Sequence, residues 1–334
     1  MQIIIDTSGT SISVRNKCFL IKNETNQKMI SPSRISSFAI MTNCNINSSA
    51  IKLAVQNQVG IMFFNRYGNI QARMYSPYFT NLSGLRKKQL VFSMIPDAAS
   101  WVVDLLIQKN IEQISTLQQL KQRKPVTFKH IDLTIDQMNK QSSKLNDLRN
   151  ERIGTVRNNI MGIEGSISKL YFSTISPNLP EKFRFERRSR RPAMDYFNAG
   201  LNYLYGMTYS VVESGIFAKG LDPSIGILHV DQYGRPTLAY DLIEPFRPLM
   251  DRLLIDMVFD EVIDESHFIK KDEGYWVSKT GKRIIISTFQ KYLQKRLKYR
   301  NKVKRLKDHI YETSNHLGKI VETKINLEDV SDLL

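Results

Sequence analysis

The chain has 334 residues, of which 42% are hydrophobic; at about 150 residues per domain this points to two domains with sizeable cores and excludes wholesale disorder. Lys and Arg number 48 against 32 Asp and Glu, a net charge of +16, which favours a polyanionic partner, nucleic acid ahead of small acidic substrates. No apolar run extends beyond residues 59–64, far short of the ~20 residues that span a bilayer, so no integral membrane protein is expected.

Residues 1–6 (MQIIID) lack the basic n-region and long apolar h-region of a signal peptide, and the expected location is cytoplasmic. Two cysteines, Cys18 and Cys44, agree with a reducing compartment and are too few for a Cys-based zinc site. Up to about residue 77, short alternating runs (IIID, SISV, CFLI, SFAIM) separated by Ser, Thr, Asn and Gly read as strands and hairpins. Within them NSSAIKLAVQNQ reads as a short helix capped by Ser48 or Ser49. A buried strand GIMFF, a turn at Tyr67-Gly68-Asn69 and another short strand follow.

Past residue 77 the alternation gives way to a 3.6 period. Trp101, Leu105, Ile111, Ile114, Leu117 and Leu120 recur at helical spacing, punctuated by Pro96 and Pro125. The expected fold class is α+β: a small N-terminal β-rich domain (1–77), a short connection (78–83), a larger all-α domain (84–320) and a C-terminal tail (321–334). Repeats, low-complexity tracts and Gly/Ser linkers are absent from the sequence.

The clearest helix runs from about residue 149 to 172. Ile153, Val156, Ile160, Ile163, Ile167 and Leu170 make one apolar stripe about 100° wide. Glu164 lies beside that stripe, roughly 40° from Ile160 at 100° per residue. A half-buried carboxylate costs free energy unless it is paired, hydrogen-bonded or metal-bound. Arg157, on the same side, is one candidate partner; a metal is the other. Gly165, costing about 1 kcal/mol relative to Ala in a helix interior, suggests close approach by another group, and Tyr171 points nearly the same way.

A second segment, GLDPSIGILHVDQYGRPTLAYDLIEPFRPLMDRLL, holds His229, Asp241 and Glu244. Asp241 and Glu244 share a face if helical, and Pro245 can open a following helix with Glu244 at its cap. One reading is a capped helix end with a satisfied core histidine. The other is an oxygen-rich site with one imidazole, which suits Mg²⁺ or Mn²⁺ rather than sulfur-seeking metals. Such an ion polarises a phosphodiester and activates a hydroxyl, so a basic protein carrying it points to nucleic acid strand cleavage or transfer.

Glu164-Gly165 followed by Tyr171-Phe172, then RRPAMDYFNAGLNYLY (190–205), GLDPSIGILH and DLIEPFRPLMDR resemble, in order, the CRISPR-associated adaptation integrase family, the endonuclease subunit that inserts spacers into a CRISPR array. The resemblance implies that the helical domain is catalytic and that Glu164, His229 and Glu244 hold a divalent metal, Mg²⁺ or Mn²⁺. It casts Asp241 as an acidic neighbour supporting the site or touching a second ion. Arg191, Asn198, Asn202 and Tyr205 match a polar stretch lining the active site. Where family members often carry Ala after the Glu-Gly pair, this chain has Ser166, Ile167 and Ser168, which touches local packing only.

Two segments concentrate positive charge: KFRFERRSRR (182–191), a candidate clamp on the phosphate backbone, and an acid-free stretch between Glu273 and Asp308 that includes KYLQKRLKYRNKVKRLK. The latter is either a solvated face or a DNA contact, and its apolar face is too sparse for strong membrane insertion. The candidate DNA contacts are Arg184, Arg187, Arg188, Arg191, Tyr205, Arg247, Lys295 and Arg296. The resemblance further implies a homodimer formed partly through the β domains, a small ferredoxin-like adaptation subunit as partner, and double-stranded DNA whose 3′-hydroxyls attack repeat boundaries. Competing readings are a stand-alone metal-dependent nuclease on branched DNA in repair or a mobile element, and a non-catalytic basic nucleic-acid-binding protein.

Overall fold

The computed structural model describes residues 2–35, 37–57, 59–64, 70–74, 82–123 and 128–326. Two compact units are present, Met1–Asn81 and Leu82–Leu334. The expected turn at Tyr67-Gly68-Asn69, the punctuation at Pro125, most of the connection at 78–83 and the last residues of the tail lie outside the described residues.

In the first unit the strands are β1 (Gln2–Ile5), β2 (Thr10–Arg15), β3 (Cys18–Lys22), β4 (Gln27–Ile30), β5 (Ser37–Ile40), β6 (Cys44–Ile46), β7 (Gly60–Phe64) and β8 (Ile70–Met74), with helix α1 (Ser48–Gln56) between β6 and β7. They form two four-stranded sheets, ordered β1-β5-β7-β8 and β4-β3-β2-β6. β2 and β3 are joined by a two-residue turn, Asn16-Lys17, with φ of 50° and 56°, the left-handed pair that matches strand twist in a tight hairpin. Ile12, Phe19, Phe38 and Ile61 belong to one core, with Phe19 edge-on to Phe38 at 5.0 Å. The sequence pattern missed β4 and β6, whose residues QKMI and CNI are short and barely alternate. α1 is capped by Asn47, whose side chain accepts from the Ala50 N–H at 2.8 Å, not by Ser48 or Ser49. Cys18 and Cys44 are free, half-buried thiols.

The second unit is mainly helical: α2 (Leu82–Phe92), α3 (Pro96–Arg123), α4 (Phe128–Ser143), α5 (Ile153–Asn178), α6 (Tyr196–Lys219), α7 (Thr237–Ile243), α8 (Arg247–Phe259), α9 (Lys279–Gln294) and α10 (Leu306–Lys324). α10 runs on past residue 320. Among the described residues no single helix is long and apolar enough to cross a membrane. α5 follows its apolar stripe, with Ile153, Val156, Ile160 and Ile167 buried. α3 packs against α5, α8 and the 3-10 turn Glu244–Phe246 that joins α7 to α8.

Two departures from the helical expectation matter. First, β9 (Phe268–Lys271) pairs with β10 (Gly274–Val277), and β11 (Arg296–Tyr299) pairs with β12 (Lys302–Arg305), both as antiparallel hairpins. The basic run KRLKYRNKVKR is thus a hairpin turned at Arg300 and Asn301, both at positive φ. Its imperfect helical face is a strand period, with Leu297 half-buried and Tyr299 buried two residues apart. Second, the middle of α3 is turned inside out: Ile111 is 50% exposed while Lys109, Asn110, Glu112, Gln113 and Thr116 are buried.

Candidate active site

The buried polar face of α3 is where the acidic residues meet. Lys109 projects from it, its side chain only 8% exposed. Its ammonium donates to Oε1 of Glu164 on α5 and, at 2.7 Å, to Oε2 of Glu244 in the 3-10 turn. Carboxylates from two separate elements therefore converge on one cation supplied by a third. Ser168, one turn beyond Glu164, donates to the same Oε1 at 2.6 Å, so a position where relatives were expected to carry Ala serves to hold the carboxylate. The alternative partner Arg157 is elsewhere: its Nε donates to the Leu228 carbonyl at 2.8 Å and its Nη2 to that of Ile227 at 3.2 Å. It ties the loop bearing His229 to α5.

Glu244 is sandwiched between two cations, with Arg247 Nη2 3.1 Å from its Oε1. Burial alone would push its carboxyl up, but the Arg247 guanidinium and then the Lys109 ammonium outweigh it and hold the group down at about 2. Burial likewise disfavours the charged form of Lys109, and the two glutamates reverse that and raise it. Arg247 is itself pinned: it donates to the Tyr209 hydroxyl at 2.7 Å and lies over the rings of Tyr205 and Tyr209. The expected cap at Glu244 is replaced by this arrangement. Glu244 and Pro245 both lie inside the 3-10 turn, whose N-cap is Ile243, and α8 is capped by Phe246.

Asp241, 1% exposed, is wrapped by donors. The backbone N–H groups of Ile227 and Leu228 bond its Oδ2 at 2.7 and 3.1 Å, and the N–H and Nδ1 of His229 bond its Oδ1 at 3.0 and 2.7 Å. Asp241 thus orients the histidine and folds its loop, the supporting role expected of an acidic neighbour. With Nδ1 committed to a carboxylate, the proton belongs on Nδ1 and the Nε2 lone pair is left to bind. His229 is 30% exposed and Glu164 28%, so both reach solvent, whereas Glu244 does not. Gly165, where close approach by another group was expected, has open space around it.

Behind the acids is a second polar layer. Tyr205, anticipated at a DNA surface, is buried, and its hydroxyl donates to Asp251 on α8 at 2.6 Å. Burial pushes the Asp251 carboxyl up to about 6 in spite of that bond. Arg188 also turns inward: its guanidinium bonds the side-chain oxygens of Asn198 and Asn202 at 2.7 and 2.6 Å and stacks over Tyr205. Asn198 and Asn202 donate in turn to the backbone carbonyls of Arg187 and Arg190. The basic loop is fastened to α6 by these amides and by Phe185, stacked on Phe197. Arg184, Arg187, Arg190 and Arg191 are left exposed on it. Lys295 and Arg296 are exposed at the start of the β11–β12 hairpin.

Lys109 and Asp251 were absent from the sequence-derived site. The signal for Lys109 was the polar repeat 109, 112, 113 and 116 at helical spacing within a core helix, which reads as a solvated face until Ile111 is known to point outward.

Two carboxylates that already share one cation, with the His229 imidazole interacting electrostatically with Glu244, are donor types suited to a hard divalent ion. Among the described residues no three His, Cys, Asp or Glu side chains close on a single point; the ammonium of Lys109 lies between the two glutamates instead.

A strand-rich unit is thus followed by a helical one that carries an acid–histidine site and a basic loop. Residues 3–291 match the family described as CRISPR associated protein Cas1, and the chain belongs to that family. It is 27% identical over 314 residues to the CRISPR-associated endonuclease Cas1 1 of Archaeoglobus fulgidus, covering 90% of this chain and 91% of that protein. It is 25% identical over 294 residues to the CRISPR-associated endonuclease Cas1 of Thermotoga maritima, covering 87% of each. Among solved structures it superposes on a Cas1 protein from Thermotoga maritima with a TM-score of 0.80 at 22% identity, over 96% of this chain and 97% of the other. A casposase bound to integration product gives a TM-score of 0.81 at 23% identity over 97% and 91%. These likenesses bear out the expected family and the α+β architecture.

Proposed function

We propose that the chain is a divalent-metal-dependent DNA endonuclease and integrase that joins short double-stranded DNA to a CRISPR array by attack of a 3′-hydroxyl on a phosphodiester. The observation that carries this reading is the convergence of Glu164 and Glu244 on one cation beside a histidine locked by Asp241, in a chain of the Cas1 family. Glu164, His229 through Nε2, and Glu244 would hold Mg²⁺ or Mn²⁺. Such an ion supplies Lewis-acid polarisation of the phosphodiester and lowers the cost of generating an alkoxide.

The chain's own residues do the rest. Asp241 fixes the imidazole, Arg247 keeps Glu244 ionised, and Ser168 and α5 set the direction of Glu164. The exposed Arg184, Arg187 and Arg191 on the clamp, with Lys295 and Arg296 on the hairpin, supply phosphate contacts that position DNA without reading its sequence. Solved proteins of this fold include one in a Cas6-RT-Cas1–Cas2 complex. That likeness supports a Cas1–Cas2 partnership; the reading further takes double-stranded DNA, a second copy of the chain joined through the β-rich unit, and a small ferredoxin-like adaptation subunit as partners.

The test is joining of a short DNA duplex to a supercoiled plasmid carrying a repeat, with Mg²⁺ or Mn²⁺ and with chelator. Joining should require the ion and fall at least about 100-fold in Glu164→Gln and His229→Ala. Joining that survives chelation sinks the reading. The casposase likeness favours a second biology for the same chemistry, a mobile-element enzyme. A CRISPR array and a partner gene beside the coding sequence separate the two.

A further inference from the structure

Lys109 has no place in the roles assigned so far. It is a buried cation on α3 that bonds Oε1 of Glu164 and Oε2 of Glu244, the two carboxylates read above as metal ligands. Two acids, Lys109 and Arg247 make a group of four balanced charges with no ion added. A divalent cation entering it would bring two further positive charges against the same oxygens. One of the resident cations must then give way, and the two differ in freedom. Arg247 is held by the Tyr209 hydroxyl and two aromatic faces, while among the described residues the Lys109 ammonium bonds only the two glutamates themselves. Its four-carbon stem is flexible. One turn along the same helix face, Gln113 Oε1 is buried without a hydrogen-bond partner among the described residues, an acceptor at i,i+4 spacing for a displaced ammonium.

We propose that Lys109 is the resident counter-cation of the Glu164–Glu244 pair, a positioning residue that keeps the two carboxylates together before metal arrives and is displaced by the divalent ion. This rests on the pair being the metal site. Lys109 therefore weakens metal affinity by competition while preventing the two facing acids from repelling each other in the metal-free protein. A purely structural salt bridge would not compete, because its loss would loosen the ligands and weaken the binding of metal.

The experiment is calorimetric titration of Mn²⁺ into the chelator-stripped full-length protein, wild type against Lys109→Met, with thermal melts of both. Lys109→Met should bind Mn²⁺ about tenfold more tightly, melt lower than wild type without metal, and gain more in melting temperature on adding it. Equal or weaker affinity in Lys109→Met overturns the proposal while leaving the metal site intact. No binding by either protein removes the metal reading and this inference together. Should Lys109→Met fail to fold, the wild type decides: with ¹³Cε-labelled lysine, the Lys109 resonance should move as Mg²⁺ is added and saturate with the binding isotherm. A resonance that stays in place overturns displacement.

Discussion

His229 Nδ1 lies 2.7 Å from Asp241 Oδ1, and the backbone N–H of the same histidine bonds the same oxygen at 3.0 Å. One buried carboxylate thereby sets both the loop and the ring it carries. Replacing Asp241 by Asn turns an acceptor that takes four donors into one that must point an amide N–H at some of them. Asp241→Asn should lower Mn²⁺ affinity by about 10–100-fold and cost about 1–3 kcal/mol of stability. Calorimetric metal titration and urea unfolding check the two effects, and an unchanged metal affinity would mean the histidine is held by other means.

Arg157 acts on the same loop through the carbonyls of Ile227 and Leu228. Arg157→Ala removes two charge-assisted bonds without touching a candidate ligand. Amide hydrogen exchange over residues 226–231 should quicken by about tenfold or more, from bonds worth about 1.5–3 kcal/mol each, and strand joining should fall with it. Faster exchange without loss of joining would separate loop order from function.

The arginines of the clamp divide into two kinds. Arg187 and Arg191 are exposed, whereas Arg188 is committed to Asn198, Asn202 and the ring of Tyr205. Arg187→Ala should reduce the slope of log affinity against log salt by about 1, with stability unchanged. Arg188→Ala should instead lower the melting temperature, because it strips the partners from two amides and frees the loop. DNA binding across a salt series, together with melts, distinguishes them.

Asp251 gives the pH dependence. Its folded carboxyl is raised by burial from 3.8 to about 6, so the folded state holds this proton more tightly than the unfolded one. Its contribution is greatest below pH 3.8 and is lost as pH rises through about 6. The swing is on the order of 3 kcal/mol at 1.36 kcal/mol per pH unit. Asp251→Asn, which keeps an acceptor for Tyr205, should flatten the stability profile between about pH 4 and pH 6. Unfolding midpoints in urea across that interval measure the difference from wild type.

Read by itself, the order of amino acids determined the broad plan of this protein. Alternation in IIID, SISV and GIMFF marked strands because a strand exposes opposite faces in turn, and the 3-4 spacing from Ile153 to Leu170 marked α5 because one stripe of a helix meets the core. Ordered motifs around Glu164, His229 and Glu244 pointed to the family. Tertiary structure decided what each charge does, since electrostatic energy depends on distances that sequence separation does not set. Lys109, 55 residues from Glu164 and 135 from Glu244, becomes their common partner only when α3 turns its polar side inward. Arg188 and Arg187, adjacent in the chain, part company because one guanidinium finds acceptors inside the fold and the other is left to water. The same holds for Asp241 and Glu244: three residues apart, one is surrounded by donors that fold a loop and the other by cations that keep it charged.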